Sequence, residues 1–425
     1  VIRDGLMVNK STLDNGIRVV TEKIPSAHSI TIGLWVENGS RHEQPSQNGI
    51  SHFIEHLLFK GTERRSAQAI AKEIDSVGGA LNAFTTREYS CYYAKVLAKK
   101  LPLAIDLLSD IVLNSVFELD EIEKERRVIL QEIHKVEDDP DDLIQDLFCQ
   151  KFWVDHPLGL SILGSEETVS NITRASILAF MAERYCGRNI IICAAGDLDH
   201  QELVDRIAEA FKQVPAGTST PVCTLPEYHR GVNVTGKDLE QVHICLGTRG
   251  LPQDHPDRFI AYTLNSILGG SLSSRLFQNV REDLGLVYSI YSYLNSHTDA
   301  GALVIASGTS FGDASRVVGI LLKELNKLRT DLVEEEELYS TKEQLKGNLM
   351  LSMESTDNRM TRLARNEIYL GCHFPLKDAL RAVDRVSREE ILKLGQLIFC
   401  DDYLNLQLVG RVKRADFPLL DLTLG

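Results

Sequence analysis

The spacing of apolar residues switches between an alternating period and a helical one, and the same order of switches occurs twice along the chain. Near the start, Asp14-Asn15-Gly16 is a hairpin turn signal, followed by β-rich Ile17 to Glu22 and by the alternating Ile30, Ile32 and Leu34. Helical spacing takes over at 49–60 and 66–77, where Ser66 is placed as an N-cap and Gly61 and Gly78 stand at stop positions. Strands return at 81–86 and 89–96, rich in aromatic and β-branched residues. Helical stretches at 102–113 and 119–136 come next, and Pro140 ends the second of them.

Mid-chain, the Pro-, Gly-, Ser- and Thr-rich stretch around 214–228 reads as a linker. After it come strands at 232–234 and 239–247, helices at 256–268 and 273–283, strands at 286–295 and 302–307, and a run of helices. Tyr185, Cys186 and Gly196 match Phe399, Cys400 and Gly410 at a common offset of 214 residues, far longer than a solenoid repeat. The pattern predicts an α+β protein of two homologous halves, 1–213 and 229–425, joined by 214–228. Each half is expected to be an α/β sandwich, a mainly antiparallel sheet packed with helices.

The 425-residue length provides for a sizeable core, and 46 basic against 60 acidic residues leave a net charge of −14. That balance disfavours nucleic acid and anionic membrane as partners. No apolar run reaches the roughly 20 residues of a membrane helix, and residues 1–10 lack the pattern of an uncleaved signal peptide. Cys91, Cys149, Cys186, Cys193, Cys223, Cys245, Cys372 and Cys400 form no CxxC pair and are expected to be mostly buried thiols in a reducing compartment.

The candidate chemistry lies in His52-Phe53-Ile54-Glu55-His56. On a helix, residues four apart share a face, so His52 and His56 can grip one ion, and Glu55 can hold a water beside it. This is an inverted H-x-x-E-H arrangement suited to metal-assisted hydrolysis. The competing reading, a solvated His pair beside a surface Glu, is weakened by Phe53, Leu57 and Leu58, which bury the helix and raise the cost of unpartnered polar side chains. A catalytic zinc takes three protein ligands. Glu125 and Glu132, seven residues apart on one face of the next long helix, are the candidates for the third, against the alternative of a solvated charged face.

These residues resemble the pitrilysin, or insulysin, family of zinc metallopeptidases, particularly the branch containing the β subunit of mitochondrial processing peptidase. The likeness spans nearly the whole chain. It rests on the inverted motif, on Glu132 lying 76 residues after His56, and on Glu125 seven residues before Glu132. The resemblance implies one zinc per chain on His52, His56 and Glu132, with Glu55 as general base and Glu125 in support, and so makes the first half the metal-binding one. Gly78 to Thr85 looks like the family's substrate-binding edge strand, in which Asn82, Ala83 and the neighbouring Phe84 would hold peptide backbone by β-augmentation. In LFQNVREDLGLVYSIYS, Arg281 and Tyr288 have the family's seven-residue spacing and would bind substrate and polarise its carbonyl. The segment from His156, HPLGLSILGSEETV, matches a part with a structural role. The corresponding helix of the second half, 256–268, carries no His or Glu, so that half is expected to lack a metal.

The function implied is zinc-dependent endopeptidase action on unfolded peptides or presequence-like segments. It would take place in a chamber formed by a dimer, a homodimer or a heterodimer with a related subunit. A bacterial cytoplasmic location is preferred over a mitochondrial matrix or periplasmic one. The rivals are a non-catalytic assembly or binding subunit of the same fold, against which the intact Glu55 argues, and an amidase, against which the peptide-binding strand argues.

Overall fold

The computed structural model describes residues 8–218, 224–416 and 422–424. Residues 1–7, on which the expected absence of a signal peptide partly rests, lie outside this range, as do 219–223 of the expected linker, with Cys223. The described residues group into two compact units. The first takes in the chain as far as His134, the 160–223 stretch and Ser352–His373; the second takes in Lys135–Gly159, Thr224–Leu351 and the chain from Phe374.

The first unit is built on a six-stranded sheet. Its strands are β1 (Val8–Thr12), β2 (Arg18–Lys23), β3 (Ser29–Val36), β4 (Ala80–Thr85), β5 (Ser90–Leu97) and β6 (Ile190–Gly196), in the order β1-β2-β6-β3-β5-β4. Only β2 and β6 run parallel; the other neighbours are antiparallel. On one face pack α1 (Ile50–Leu57), α2 (Ala67–Asp75), α3 (Leu101–Leu113) and α4 (Leu119–Asp138), where Phe53, Ile54, Leu57, Ile105, Ile129 and Ile133 meet Ile30, Ile32 and Leu34 of β3. Ser66 caps α2 as expected, accepting from the Ala69 amide.

The opposite face of this sheet is also buried, by a helix from far along the chain. Met360, Leu363 and Ala364 of the helix Thr356–Leu370 cover Val20, Trp35, Cys91, Ile191 and Cys193. The Trp35 indole N–H donates to Met360 Sδ at 3.2 Å, and Lys95–Asp357, Arg359–Glu22 and Lys10–Glu367 ion pairs edge the contact. A Cβ on Gly33 would stand 2.8 Å from Met360 Sδ, so β3 needs glycine there for the helix to seat.

The second unit has a five-stranded sheet of β7 (Gly231–Gly236), β8 (Val242–Arg249), β9 (Val287–Ser296), β10 (Gly301–Thr309) and β11 (Asn405–Gly410), ordered β7-β11-β8-β10-β9. Again one pair, β7 with β11, is parallel. One face packs on the helices Arg258–Leu268, Ala314–Thr330 and Arg388–Ile398. The other is covered by α5 (Pro140–Phe152), whose Phe148 and Phe152 meet Cys245, Ala302, Val304 and Val409. A Cβ on Gly247 would lie 2.1 Å from Phe148 Cζ. Gly247 is 247 − 33 = 214 residues after Gly33, so the offset read from the sequence also relates the two glycines that receive the covering helices.

Each sheet is thus completed by a helix from the other half of the sequence. The units depart in this respect from a contiguous division at 214–228, because a sheet apolar on both faces must be covered on both. Pro140 ends α4 and also opens α5 at its first turn, where its missing N–H costs nothing. The helix expected at 273–283 is a π-helical turn over Phe277–Asp283. Among the described residues no helix is long and apolar enough to cross a membrane. Five of the described cysteines are buried and all seven are free thiols.

Candidate metal centre

The short helix α1 carries the motif because its start is held from outside. Gly49 precedes it with φ +95°, and a Cβ there would lie 2.5 Å from the Leu163 carbonyl oxygen. The buried carboxylate of Glu43 accepts from the Gly49 and Ser51 amides, each at 2.8 Å, and from Asn48 Nδ2 at 3.0 Å. Glu43 thereby satisfies two of the amides that a helix start leaves open, and a negative charge there suits the helix dipole. Burial raises its pKa, and the hydrogen bonds from Ser51, Gly49 and Asn48 oppose the rise.

Ile50, Phe53, Ile54 and Leu57 anchor α1 in the core, which leaves His52, Glu55 and His56 on its other side. Across from them runs α4, fixed by buried Ile122, Ile129 and Ile133 and by Arg126, whose guanidinium lies over the Phe53 ring and donates to the Ile172 carbonyl. The seven-residue spacing then turns both Glu125 and Glu132 toward α1.

The geometry fits a metal. His52 Nε2 lies 3.7 Å and His56 Nε2 3.6 Å from the same oxygen, Glu132 Oε2. One donor atom from each of the three residues falls within 4.8 Å of the others. Two ligands each about 2.1 Å from a tetrahedral ion stand roughly 3.4 Å apart, so the cluster needs little adjustment to share one. These separations are too long for hydrogen bonds. Glu125, buried, places Oε2 3.1 Å from His56 Nδ1 and Oε1 2.8 Å from Lys60 Nζ. An ionised Glu125 keeps the proton on Nδ1 and leaves the Nε2 lone pair facing Glu132. Burial, and then the charge His56 can carry, lower the His52 pKa to about 3, which favours its neutral form. Its Nδ1 is buried with no hydrogen-bond partner among the described residues.

Glu55 lies beside this cluster. Burial raises its pKa; a 2.5 Å hydrogen bond from Thr85 Oγ1 to Oε2 and the nearby His56 oppose the rise, while Glu132 adds to it. Thr85 ends β4, the edge strand holding Asn82, Ala83 and Phe84. Asn82 is exposed, and its Oδ1 accepts from the Ala83 amide at 2.8 Å. The Phe84 ring turns to the opposite face of the sheet, among Trp35, Tyr89 and Tyr93. The first unit therefore brings together His52, Glu55, His56, Glu125 and Glu132, with the edge strand of Asn82 and Ala83 against α1.

Arg281 and Tyr288 are brought together in the second unit. The Arg281 guanidinium lies 4.5 Å from the Phe277 ring centre and 5.6 Å from that of Tyr288. Both line a cleft of about 490 Å³ with Gly269, Gly270 and Leu272, and Tyr288 is 82% exposed.

Glu43, Lys60 and Thr85 went unnoticed in the sequence. An acid a few residues ahead of Asn48-Gly49 was the only signal for Glu43; Thr85 stood within the strand read for its backbone.

Two α+β units, one of them bearing a His-His-Glu cluster with a further carboxylate beside it, define a metallohydrolase-like architecture. Comparison with known proteins makes the class specific. Residues 18–166 match the family model described as insulinase (peptidase family M16), and residues 171–345 match that of the peptidase M16 inactive domain. The chain is 41% identical over 397 residues to the uncharacterized zinc protease YmxG of Bacillus subtilis, covering 93% of this chain and 97% of that protein. It is equally 41% identical to an uncharacterized zinc protease of Mycobacterium tuberculosis, with 91% and 89% covered. Among solved structures, a peptidase M16 inactive domain from Pseudomonas fluorescens superposes with TM-score 0.90 at 20% identity over 96% of this chain and 98% of that one. A Helicobacter pylori protease does so with TM-score 0.86 at 21% identity, with 95% and 99% covered. The chain belongs to peptidase family M16, the insulinase family.

Proposed function

We propose that this protein is a zinc-dependent endopeptidase that hydrolyses extended, unfolded peptide segments. The observation that carries the reading is the convergence of His52 Nε2 and His56 Nε2 on one oxygen of Glu132, with the Glu55 carboxylate alongside. The zinc protease names of the bacterial relatives support it.

His52, His56 and Glu132 would hold a single zinc, which when bound supplies Lewis acidity to acidify water and polarise a carbonyl. Glu55 accepts the proton of the attacking water and delivers it to the leaving amine. Glu125 keeps His56 in the tautomer with Nε2 free. A peptide in extended form pairs with the open edge of β4 at Ala83, beside the exposed side chain of Asn82, with Phe84 holding the strand to the sheet. Arg281 and Tyr288 bind substrate in their own cleft. The working form is a dimer, of two copies of this chain or of this chain with a related subunit; sedimentation velocity of the purified chain would show the homodimer as a species of twice the chain mass.

Zinc content of His52→Ala, His56→Ala and Glu132→Ala proteins, together with cleavage of a panel of unstructured peptides, tests this function. Each variant is expected to lose both zinc and turnover. A wild-type protein that holds zinc and cleaves no peptide would instead be a binding or assembly subunit.

A further inference from the structure

Building on the reading of Glu55 as the proton acceptor, we propose that Thr85 is a positioning residue: its hydroxyl fixes the orientation of the Glu55 carboxylate and ties it to the peptide-docking edge of β4. Thr85 Oγ1 donates to Glu55 Oε2 at 2.5 Å, and Glu55 takes no other side-chain hydrogen bond from a described residue. A carboxylate held by one oxygen presents the other in a defined direction. Thr85 is β-branched and sits in a paired strand, so its hydroxyl is aimed by the backbone. Ser90 Oγ, directly across the pair, lies 3.2 Å from Thr85 Oγ1 and itself donates to the Asn38 carbonyl at 3.3 Å, so the contact to Glu55 is the shorter of the two that the Thr85 hydroxyl makes.

The strand register supplies the second half of the inference. The Thr86 amide donates to the Tyr89 carbonyl at 2.8 Å, which makes 86 and 89 a hydrogen-bonded pair of the β4–β5 ladder. In an antiparallel ladder such pairs alternate, so Phe84–Cys91 and Asn82–Tyr93 are bonded, while Leu81, Ala83 and Thr85 turn their N–H and C=O groups away from β5. Away from β5 lies the open edge of the sheet. The side chains of the same three residues point to one face, the face on which Leu81 and Ala83 pack with the core around α1. Thr85 therefore offers its backbone to an added strand and its hydroxyl to Glu55. A peptide that pairs with Thr85 and, displacing Asn82 Oδ1 from its amide, with Ala83 stiffens the residue that holds the carboxylate.

The test compares Thr85→Val, which keeps the shape and loses the hydroxyl, with Thr85→Ser, which keeps the hydroxyl. On an unstructured peptide, Thr85→Val is expected to lower kcat by about 10- to 100-fold with KM and zinc content unchanged, and Thr85→Ser to restore most of kcat. A Thr85→Val protein with wild-type kcat, or a Thr85→Ser protein as impaired as Thr85→Val, overturns the proposal. Crystal structures of the two metal-free variants decide the same question without activity. Glu55 should leave its place against β4 in Thr85→Val and keep it in Thr85→Ser, and an unmoved Glu55 in Thr85→Val overturns the assignment. Turnover surviving in Glu55→Gln would refute the general base instead, and the two structures would still decide the role of Thr85.

Discussion

The two imidazoles of the centre are held differently. His56 has its Nδ1 against Glu125, which is itself anchored by Lys60, whereas Nδ1 of His52 is buried with no hydrogen-bond partner among the described residues. Glu125→Gln should therefore weaken zinc binding by about 10- to 100-fold, measurable by competition with a chromophoric chelator, and unchanged affinity would remove Glu125 from the supporting role. His52 also sets a pH dependence. Its folded pKa is lowered from 6.5 to about 3, so the unfolded chain takes up a proton in that window that the folded chain refuses. The associated stability is fully present above the unfolded value and is lost as pH falls from 6.5 toward 3. Melting of the metal-free protein should drop more between about pH 7 and about pH 4.5 than melting of metal-free His52→Gln; equal drops would contradict the burial argument.

Helix α1 spans only Ile50–Leu57 and depends on what holds its start. Removing the Glu43 carboxylate leaves two buried amides without an acceptor, at a cost of about 1–3 kcal/mol each. Glu43→Ala is thus expected to lower the urea midpoint and reduce zinc retention, and a variant with wild-type values for both would show the cap to be dispensable. At this scale the sequence was legible where a signal is local. The alternation of Ile30, Ile32 and Leu34, the cap at Ser66, and the motif of His52, Glu55 and His56 all lie within one or two turns of chain. It was less legible where the partner is distant in sequence. Lys60 meets Glu125, and Thr85 meets Glu55, only after α1, α4 and β4 are assembled. For the same reason the alternation of Ile30, Ile32 and Leu34 marks one face of β3 only, although Thr31, Gly33 and Trp35 on the other face are covered by a helix more than 300 residues later.

At the level of the whole chain, the duplication was visible as element order and a 214-residue offset, but the exchange of covering helices was not, because periodicity reports that a face is apolar and not what covers it. The exchange has a consequence for truncation. A fragment of residues 1–213 lacks Met360, Leu363 and Ala364 and uncovers Val20, Trp35, Ile191 and Cys193, while α5 within it loses the sheet it packs on. Such a fragment is expected to show no cooperative thermal transition, and a transition at the temperature of the full chain would contradict the reciprocal packing. The full chain also bears on the chemistry, since the first unit holds the three candidate ligands and Glu55. The most direct test of that centre is the turnover of fully zinc-loaded Glu55→Gln protein on an unstructured peptide that the wild-type protein cleaves. The expected result is wild-type zinc content with hydrolysis reduced to background; hydrolysis at the wild-type rate would contradict the assignment of Glu55 and, with it, the mechanism proposed for this site.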